Sequence, residues 1–233
     1  MLHSDSMVLA QLPPMTTDGR CKVFFDALDE VLGPEGTLVL PTFTYSFTKK
    51  QNFNVRDSAS TVGLLSNYFR TLPGVVRSRD PNFSIAARGR LSQELTSVTS
   101  NDCFGPDSVF ALLEKYDARL AAMGCSIDRL TFVHYVEQKA KVNYRYFKTF
   151  SGTIESDNSE EFAEVRYFVR DVERQTELNL SKLRDILIKR NQLNIVPIGR
   201  IALSVVSCGD FLHSAMSMLA ENQSALIVEG NPK

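Results

Sequence analysis

The stretch "ARLAAMGCSIDRLTFVHYVEQ", residues 118–138, joins a strand of small residues to an amphipathic helix. Residues 118–123 are mostly small and apolar and stop at Gly124, as a buried strand does before a turn. From about 129 to 139 the apolar residues return at helical spacing. Because α/β folds are built from strands followed by helices, this stretch decides the class of the fold.

The same mixture of elements extends to both sides of this stretch. The sequence contains no internal repeat, low-complexity segment or linker, so we predict a single domain over residues 1–233. The order of the elements predicts an α/β sandwich with a mixed central sheet and a hairpin region in the second half. Helical spacing predicts helices near 20–33, 61–72, 107–117, 180–191 and 209–220, and β-branched or alternating runs predict strands near 36–47, 75–78, 83–89, 143–154, 160–173, 194–206 and 225–228.

The composition is that of an ordinary globular protein. Hydrophobic residues make up 43% of the chain, and 26 basic and 27 acidic residues give a net charge of -1. The sequence has no apolar run long enough to span a bilayer and no basic stripe for nucleic acid. It also has no GxGxxG, Walker loop or GxSxG elbow. These features predict neither a membrane nor a nucleic-acid partner, and they favour a small neutral or anionic ligand.

Cysteines and histidines give no metal-binding pattern. The four cysteines are widely scattered without a CxxC pair, and no signal peptide precedes them, which predicts reduced thiols and a cytoplasmic location. His3, His134 and His213 are too far apart in sequence for the usual ligand spacing, so no metal is predicted. Cys125 follows a buried strand, where a neutral structural thiol is expected rather than a nucleophile.

The helix near 129–139 carries the pattern HxxE. His134 and Glu137 lie at i and i+3 on one face, and Thr131 precedes His134 on the same side. A histidine whose tautomer is fixed by a carboxylate can accept a proton from an amine near neutral pH, and a threonine hydroxyl could bind the oxyanion. The alternative is a satisfied helix histidine with a solvated glutamate, and the spacing alone does not decide.

Polar residues also cluster where strands are predicted to end. Ligands of α/β proteins gather at such positions, although serine, aspartate and threonine also form caps and turns there. The residues concerned are Ser4, Asp5, Thr42, Thr44, Arg77, Ser78 and Ser84.

Four stretches together resemble the aminoglycoside 3-N-acetyltransferase family. They are "GPEGTLVLPTFTYSF", "STVGLLSNYFRTLPGVVRSRDPNFSIAARG", "FGPDSVFALL" and "MGCSIDRLTFVHYVE", and they occur in the family's order with similar spacing. The resemblance covers about residues 1–150 and leaves 151–233 without a motif. It implies a three-layer α/β/α fold, unlike that of the GNAT acetyltransferases, and transfer of an acetyl group from acetyl-CoA to an amine.

The resemblance also implies roles for particular residues. His134 matches the catalytic histidine, Glu137 its supporting carboxylate, and Thr131 the threonine near the acyl carbonyl. The strand and helix that precede the His-Ser loop in the family would be missing here. The residues implied to line the coenzyme A cleft are His3, Ser4, Thr42, Thr44, Arg77, Ser78 and Ser84.

Two departures from the family pattern bear on the acceptor. Asp80 stands where the family has histidine, and Lys49, Lys50 and Arg56 form a local excess of positive charge. If these residues faced the cleft, they would favour an amino sugar linked to a nucleotide over a polycationic aminoglycoside. An aminoglycoside 3-N-acetyltransferase is the alternative, and a non-catalytic acyl-CoA-binding protein is a further one. A homo-oligomer remains possible.

Overall fold

The computed structural model describes residues 1–157 and 159–229. The helices in this part of the chain are α1 (Thr17–Leu32), α2 (Leu64–Phe69), α3 (Ser92–Thr96), α4 (Val109–Lys115), α5 (Phe132–Ala140), α6 (Ser181–Lys189) and α7 (Cys208–Glu221). The strands are β1 (Leu2–Ser4), β2 (Thr37–Pro41), β3 (Phe53–Asn54), β4 (Val76–Arg77), β5 (Ile85–Gly89), β6 (Arg119–Met123), β7 (Arg145–Ser156), β8 (Ser159–Arg170), β9 (Thr176–Leu178), β10 (Asn194–Ile198), β11 (Ile201–Ser207) and β12 (Ile227–Glu229).

The central sheet has the strand order β1-β6-β11-β10 and is mixed. β1 pairs with β6 in parallel, with Leu2 opposite Ala121, whereas β11 runs antiparallel to both β6 and β10. Within the described residues, β2, β5 and β4 form a second sheet, β3, β7 and β8 a third, and β9 pairs with β12. The predicted α/β fold with a mixed central sheet is confirmed.

Alternating residues of the strands enter two separate cores. On β6, Leu120 and Ala122 join one hydrophobic cluster while Met123 joins the other, and β2 divides in the same way between Val39 and Leu40. Since successive side chains of a strand point to opposite faces, both sheets are covered on both sides. Helices α1 and α2 supply one core, and α4, α5 and α7 supply the other. These are the three layers of the α/β/α sandwich.

Individual residues set the ends of β6 and α5 and the turn between them. Gly124 has a φ of +70°, a backbone conformation that favours glycine, and it ends β6. Ser126 accepts a hydrogen bond from the backbone N–H of Asp128 and caps a short 3-10 turn, so α5 begins at Phe132 rather than near residue 129. Lys141, in the left-handed conformation, ends the helix.

Strands β7 and β8 form a long antiparallel pair in the predicted hairpin region. Their register places Arg145, the first residue of β7, opposite Arg170, the last residue of β8. Because β7 begins only a few residues after α5 ends, the start of this pair lies beside the helix.

No helix in the described parts of the chain is both long enough and apolar enough to cross a membrane.

Candidate active site

Helix α5 places His134 and Glu137 in direct contact. The Nδ1 atom of His134 lies 2.7 Å from Oε2 of Glu137, as the i, i+3 spacing predicts. The Glu137 side chain is fully buried, and the His134 side chain is 21% exposed. The imidazole packs edge-to-face on the ring of Phe104, with 5.6 Å between ring centroids. The ring is therefore held by a carboxylate and an aromatic face.

Arg145 of β7 joins this pair from the neighbouring element. Its Nε lies 2.8 Å from Glu137 Oε2, and its Nη2 lies 3.0 Å from His134 Nδ1. A third nitrogen, Nη1, donates to the carbonyl oxygen of Phe168 at 3.2 Å. The guanidinium is thus fixed against both members of the pair.

These contacts set the charges of the site. Burial lowers the pKa of His134, the positive charge of Arg145 lowers it further, and Glu137 opposes both effects. Burial alone would raise the pKa of Glu137, but its hydrogen bond with His134 and the charges of His134 and Arg145 bring that pKa below its ordinary value. Near neutral pH the histidine is neutral and the glutamate is ionised.

A cavity of about 880 Å³ opens beside His134. Because Nδ1 is occupied by Glu137 and Arg145, Nε2 is the ring nitrogen free for a ligand, and no described residue hydrogen-bonds to it. We call this space the His134 cavity, and it is lined by Tyr45, Ser126, Asp128, Arg129, His134, Tyr144, Arg145, Arg170, Thr176, Glu177, Leu178 and Ile227.

Thr131 is bound to His3 instead of pointing freely toward a ligand. Its backbone N–H donates to Nε2 of His3 at 3.2 Å, and its Oγ1 lies 3.0 Å from the same nitrogen. Burial lowers the pKa of His3 to about 3, so its ring is neutral. A nitrogen that accepts from the backbone carries no proton, so the threonine hydroxyl donates its own proton there. In this arrangement that proton is not available to an oxyanion.

Arg77, Thr42 and Ser84 form a closed buried network. The two hydroxyl groups lie 3.2 Å apart, and Nε of Arg77 donates to both. Arg77 also donates to the carbonyl oxygens of Thr42, Val55 and Ser58. Burial lowers the pKa of this guanidinium to about 9. The contacts of these residues are satisfied within the protein, as a structural role requires.

The other residues predicted at the cofactor cleft also bond to nearby backbone. Thr44 donates to the carbonyl oxygen of Pro81 at 2.7 Å, and Ser78 accepts from the backbone N–H of Ile85 at 2.9 Å. Ser4 is the last residue of β1 and is half-buried. The His134 cavity does not include them in its described lining.

The residues predicted to bind the acceptor are not among those that line the His134 cavity in the described structure. Asp80 accepts from two backbone N–H groups, at 2.9 and 2.6 Å, and from the hydroxyl of Tyr167, and it lies at a separate cavity of about 120 Å³. Lys49 donates to the carbonyl oxygen of Thr44. Arg56 pairs with two aspartates at the surface, and Lys50 is exposed. Lys49 Nζ also lies 5.8 Å from the ring centroid of Tyr45, which lines the His134 cavity, so a role for these charges at the acceptor stays a prediction.

Two further expectations concern thiols and metals. Burial raises the pKa of Cys125, whose Sγ donates to the carbonyl oxygen of His3. The thiol is accordingly neutral. Across residues 1–157 and 159–229 no three histidine, cysteine, aspartate or glutamate side chains gather into a metal-binding group.

A model of the aminoglycoside 3-N-acetyltransferase family matches residues 1–220 of this sequence. The chain belongs to this family. The match extends well past residue 150, where the resemblance in the motifs ended, and includes the hairpin that supplies Arg145.

Curated members of the aminoglycoside 3-N-acetyltransferase family align with part of the chain. Aminoglycoside N(3)-acetyltransferase IX of Micromonospora chalcea is 35% identical over 156 residues, which are 58% of this chain and 56% of that protein. Aminoglycoside N(3)-acetyltransferase IV of Salmonella sp is 34% identical over 122 residues, 51% of this chain and 46% of that protein. The chain thus spans about half the length of the curated relatives it matches.

Solved aminoglycoside acetyltransferases share the fold almost throughout. AAC(3)-Xa superposes with a TM-score of 0.80 at 21% identity, over 97% of this chain and 86% of its own. The complex of AAC-IIIb with CoASH has a TM-score of 0.78 at 19% identity, over 100% of this chain and 91% of its own. At these identities the likeness establishes the fold, which is that of the family and not that of the GNAT acetyltransferases.

The sequence analysis did not find Arg145, although this residue contacts both His134 and Glu137. The available signal was its position, just past the end of α5 in the predicted strand that begins with "NYRYF". A charged residue at the start of an otherwise aromatic strand, so soon after HxxE, can fold back onto that helix.

Proposed function

We propose that the chain is an acetyl-CoA-dependent N-acetyltransferase whose acceptor is an amine of an aminoglycoside. The observation that carries the proposal is the His134–Glu137 pair, in which Nδ1 is held and Nε2 is left free beside a large cavity. Membership of the aminoglycoside 3-N-acetyltransferase family supports the reaction and the class of acceptor. Two structural neighbours, one bound to sisomicin and one to CoASH, support both substrates.

The reaction is direct transfer. Nε2 of neutral His134 takes a proton from the acceptor amine as its nitrogen attacks the thioester carbonyl carbon. The new C–N bond forms, the C–S bond breaks, and the imidazolium, stabilised by Glu137, returns the proton to the departing thiolate. No acyl-enzyme is needed, which agrees with the neutral thiol of Cys125.

The charges of the His134 cavity suit these two substrates. Arg129 and Arg170 are cations that fit the phosphate groups of coenzyme A, and Asp128 and Glu177 are carboxylates that fit a cationic amino sugar. The lysines on which a nucleotide-linked acceptor was predicted do not belong to this lining. The aminoglycoside acceptor is therefore the better supported of the two.

The test is release of the coenzyme A thiol from acetyl-CoA, measured with kanamycin-like and gentamicin-like aminoglycosides and with nucleotide-linked amino sugars. His134→Gln is compared with His213→Gln, a matched control because His213 is an exposed residue of α7. We expect turnover of an aminoglycoside and a loss of about 10²- to 10⁴-fold in kcat for His134→Gln only.

Other results would point elsewhere. Turnover confined to the nucleotide-linked sugars would replace the acceptor and keep the mechanism. Binding of acetyl-CoA without thiol release from any acceptor would instead favour the acyl-CoA-binding protein.

A further inference from the structure

Three side chains meet at two atoms of the proposed active site. Oε2 of Glu137 lies 2.7 Å from His134 Nδ1 and 2.8 Å from Arg145 Nε, while Arg145 Nη2 lies 3.0 Å from the same Nδ1. A carboxylate only accepts hydrogen bonds and a guanidinium only donates them. Nδ1 is thus approached by an acceptor and by a donor at once.

This geometry makes the two neighbours act in opposite directions on His134. When the ring is an imidazolium, its Nδ1–H donates to Glu137 but faces the like charge of Arg145. When the ring is neutral and Nε2 is bare, Nδ1–H still donates to Glu137, so Arg145 acts on the ring through its charge and not through a hydrogen bond to Nδ1. Glu137 therefore favours the protonated ring and Arg145 favours the unprotonated one.

The ion pair between Arg145 and Glu137 is shielded from solvent. The Arg145 side chain is 9% exposed and that of Glu137 is fully buried, so solvent and salt screen their interaction little. The contact of Arg145 Nε with Oε2 of Glu137 is an ion pair, and the buried hydroxyl of Tyr144 also interacts with the Glu137 carboxylate. The ionised form of Glu137 is therefore stabilised by its hydrogen bond with His134 and, in addition, by the charge of Arg145.

We infer that Arg145 is a positioning residue that keeps Glu137 ionised and His134 unprotonated, so that Nε2 is ready to accept the amine proton. This role rests on the proposed function, since it describes the base of that reaction. It also favours the second half of the transfer, because an imidazolium beside a guanidinium gives up its proton more readily to the leaving thiolate.

Among the described residues that face His134, Arg145 contacts both the imidazole and the carboxylate of Glu137. On β1, buried His3 is neutral, and the neutral Tyr144 hydroxyl lies next to Arg145 in sequence. The remaining titratable members of the His134 cavity are Tyr45, Asp128, Arg129, Arg170 and Glu177. Arg170 donates to the carbonyl oxygen of Thr176 and provides a control for cavity charge.

The direct test is an NMR titration of the three histidine rings, which does not depend on turnover. We compare the wild type with Arg145→Gln, Arg145→Lys and Arg170→Gln, and assign His134 by its loss in His134→Gln. We expect the pKa of His134 to rise by about one unit in Arg145→Gln and to stay within a few tenths of a unit in Arg170→Gln. Arg145→Lys keeps the charge and should stay near the wild-type value.

An unchanged His134 pKa in Arg145→Gln would overturn the inference, even if kcat fell. Should Arg145→Gln not fold, Arg145→Lys carries the test, and a rise of a full unit there would overturn the role of the charge. The acidic limb of the kcat/KM profile is expected to move with the imidazole pKa. If the wild type shows no turnover, the proposed function fails while the NMR titration still decides the role of Arg145.

Discussion

Arg77 and Arg145 are both largely buried, yet their surroundings differ. The donors of Arg77 end on carbonyl and hydroxyl oxygens of Thr42, Val55, Ser58 and Ser84, none of which titrates near neutral pH. Arg145 contacts a histidine and a carboxylate that do titrate. A buried arginine satisfied by neutral oxygens ties loops together, whereas one that contacts titratable groups adjusts their chemistry.

The structural role of Arg77 is tested by Arg77→Met. Arg77→Met removes the donors to several buried oxygens, which would then lie unsatisfied. We expect the free energy of unfolding to fall by about 3 kcal/mol in denaturant titrations. The pH profile of kcat/KM in the folded fraction should keep its limbs, and a displaced limb would show that Arg77 also acts on the chemistry.

The opposing effects of Glu137 and Arg145 on His134 are tested by Glu137→Gln. Glu137→Gln leaves Arg145 beside His134 without the opposing carboxylate, so the pKa of His134 should fall further below its ordinary value. We expect kcat to decrease roughly 10- to 100-fold and the acidic limb of kcat/KM to move to lower pH. A limb that moved upward would contradict the assigned directions.

The third prediction uses His3 to separate burial from the effect of an arginine. Its folded-state pKa of about 3 lies below the ordinary value, so the unfolded state binds the proton first as the pH falls. This contribution to stability is complete above about pH 6.5 and is lost at about 1.4 kcal/mol per pH unit as the pH falls toward 3.

Unfolding measured between pH 4 and 7 should therefore show a shallower slope for His3→Asn than for the wild type. His213→Asn, which changes an exposed histidine, serves as the control. Equal slopes in His3→Asn and the wild type would mean that burial does not lower the pKa of His3 in the folded state.

The smallest expected effect concerns the basic loop. Lys50→Glu reverses an exposed charge outside the lining of the His134 cavity. We expect KM for acetyl-CoA and for the acceptor to stay within about twofold of the wild type, because exposed charges interact weakly through water. A marked rise in KM for an anionic acceptor would restore the nucleotide-linked interpretation.

The sequence predicted the parts of the site that depend on local spacing. HxxE on a helix placed His134 and Glu137 in contact because residues three apart share a face of any helix. The α/β sandwich with a mixed sheet followed from the order of the elements, and its three layers were implied by the family resemblance. The start of α5 was predicted about three residues early because a 3-10 turn continues the same apolar spacing.

The remainder depended on pairings that a single sequence does not display. Arg77, Thr42 and Ser84 have the polar character of site residues, and only the structure shows that they satisfy one another. Arg145 joins His134 because a tight turn after Lys141 brings β7 back to the helix. A sequence motif does not predict this contact, because it joins a residue of β7 to a residue of α5.

The register of β7 and β8 has a consequence for anyone who recombines or shortens members of this fold. Each strand has 12 residues, so at about 3.3 Å per residue the far end of the hairpin lies on the order of 40 Å from Arg145. Loss of one residue within β8 would turn the following side chains to the opposite face. Chimeras that exchange this hairpin must therefore preserve the parity of its strands, because distant insertions or deletions would otherwise change which residues lie beside His134.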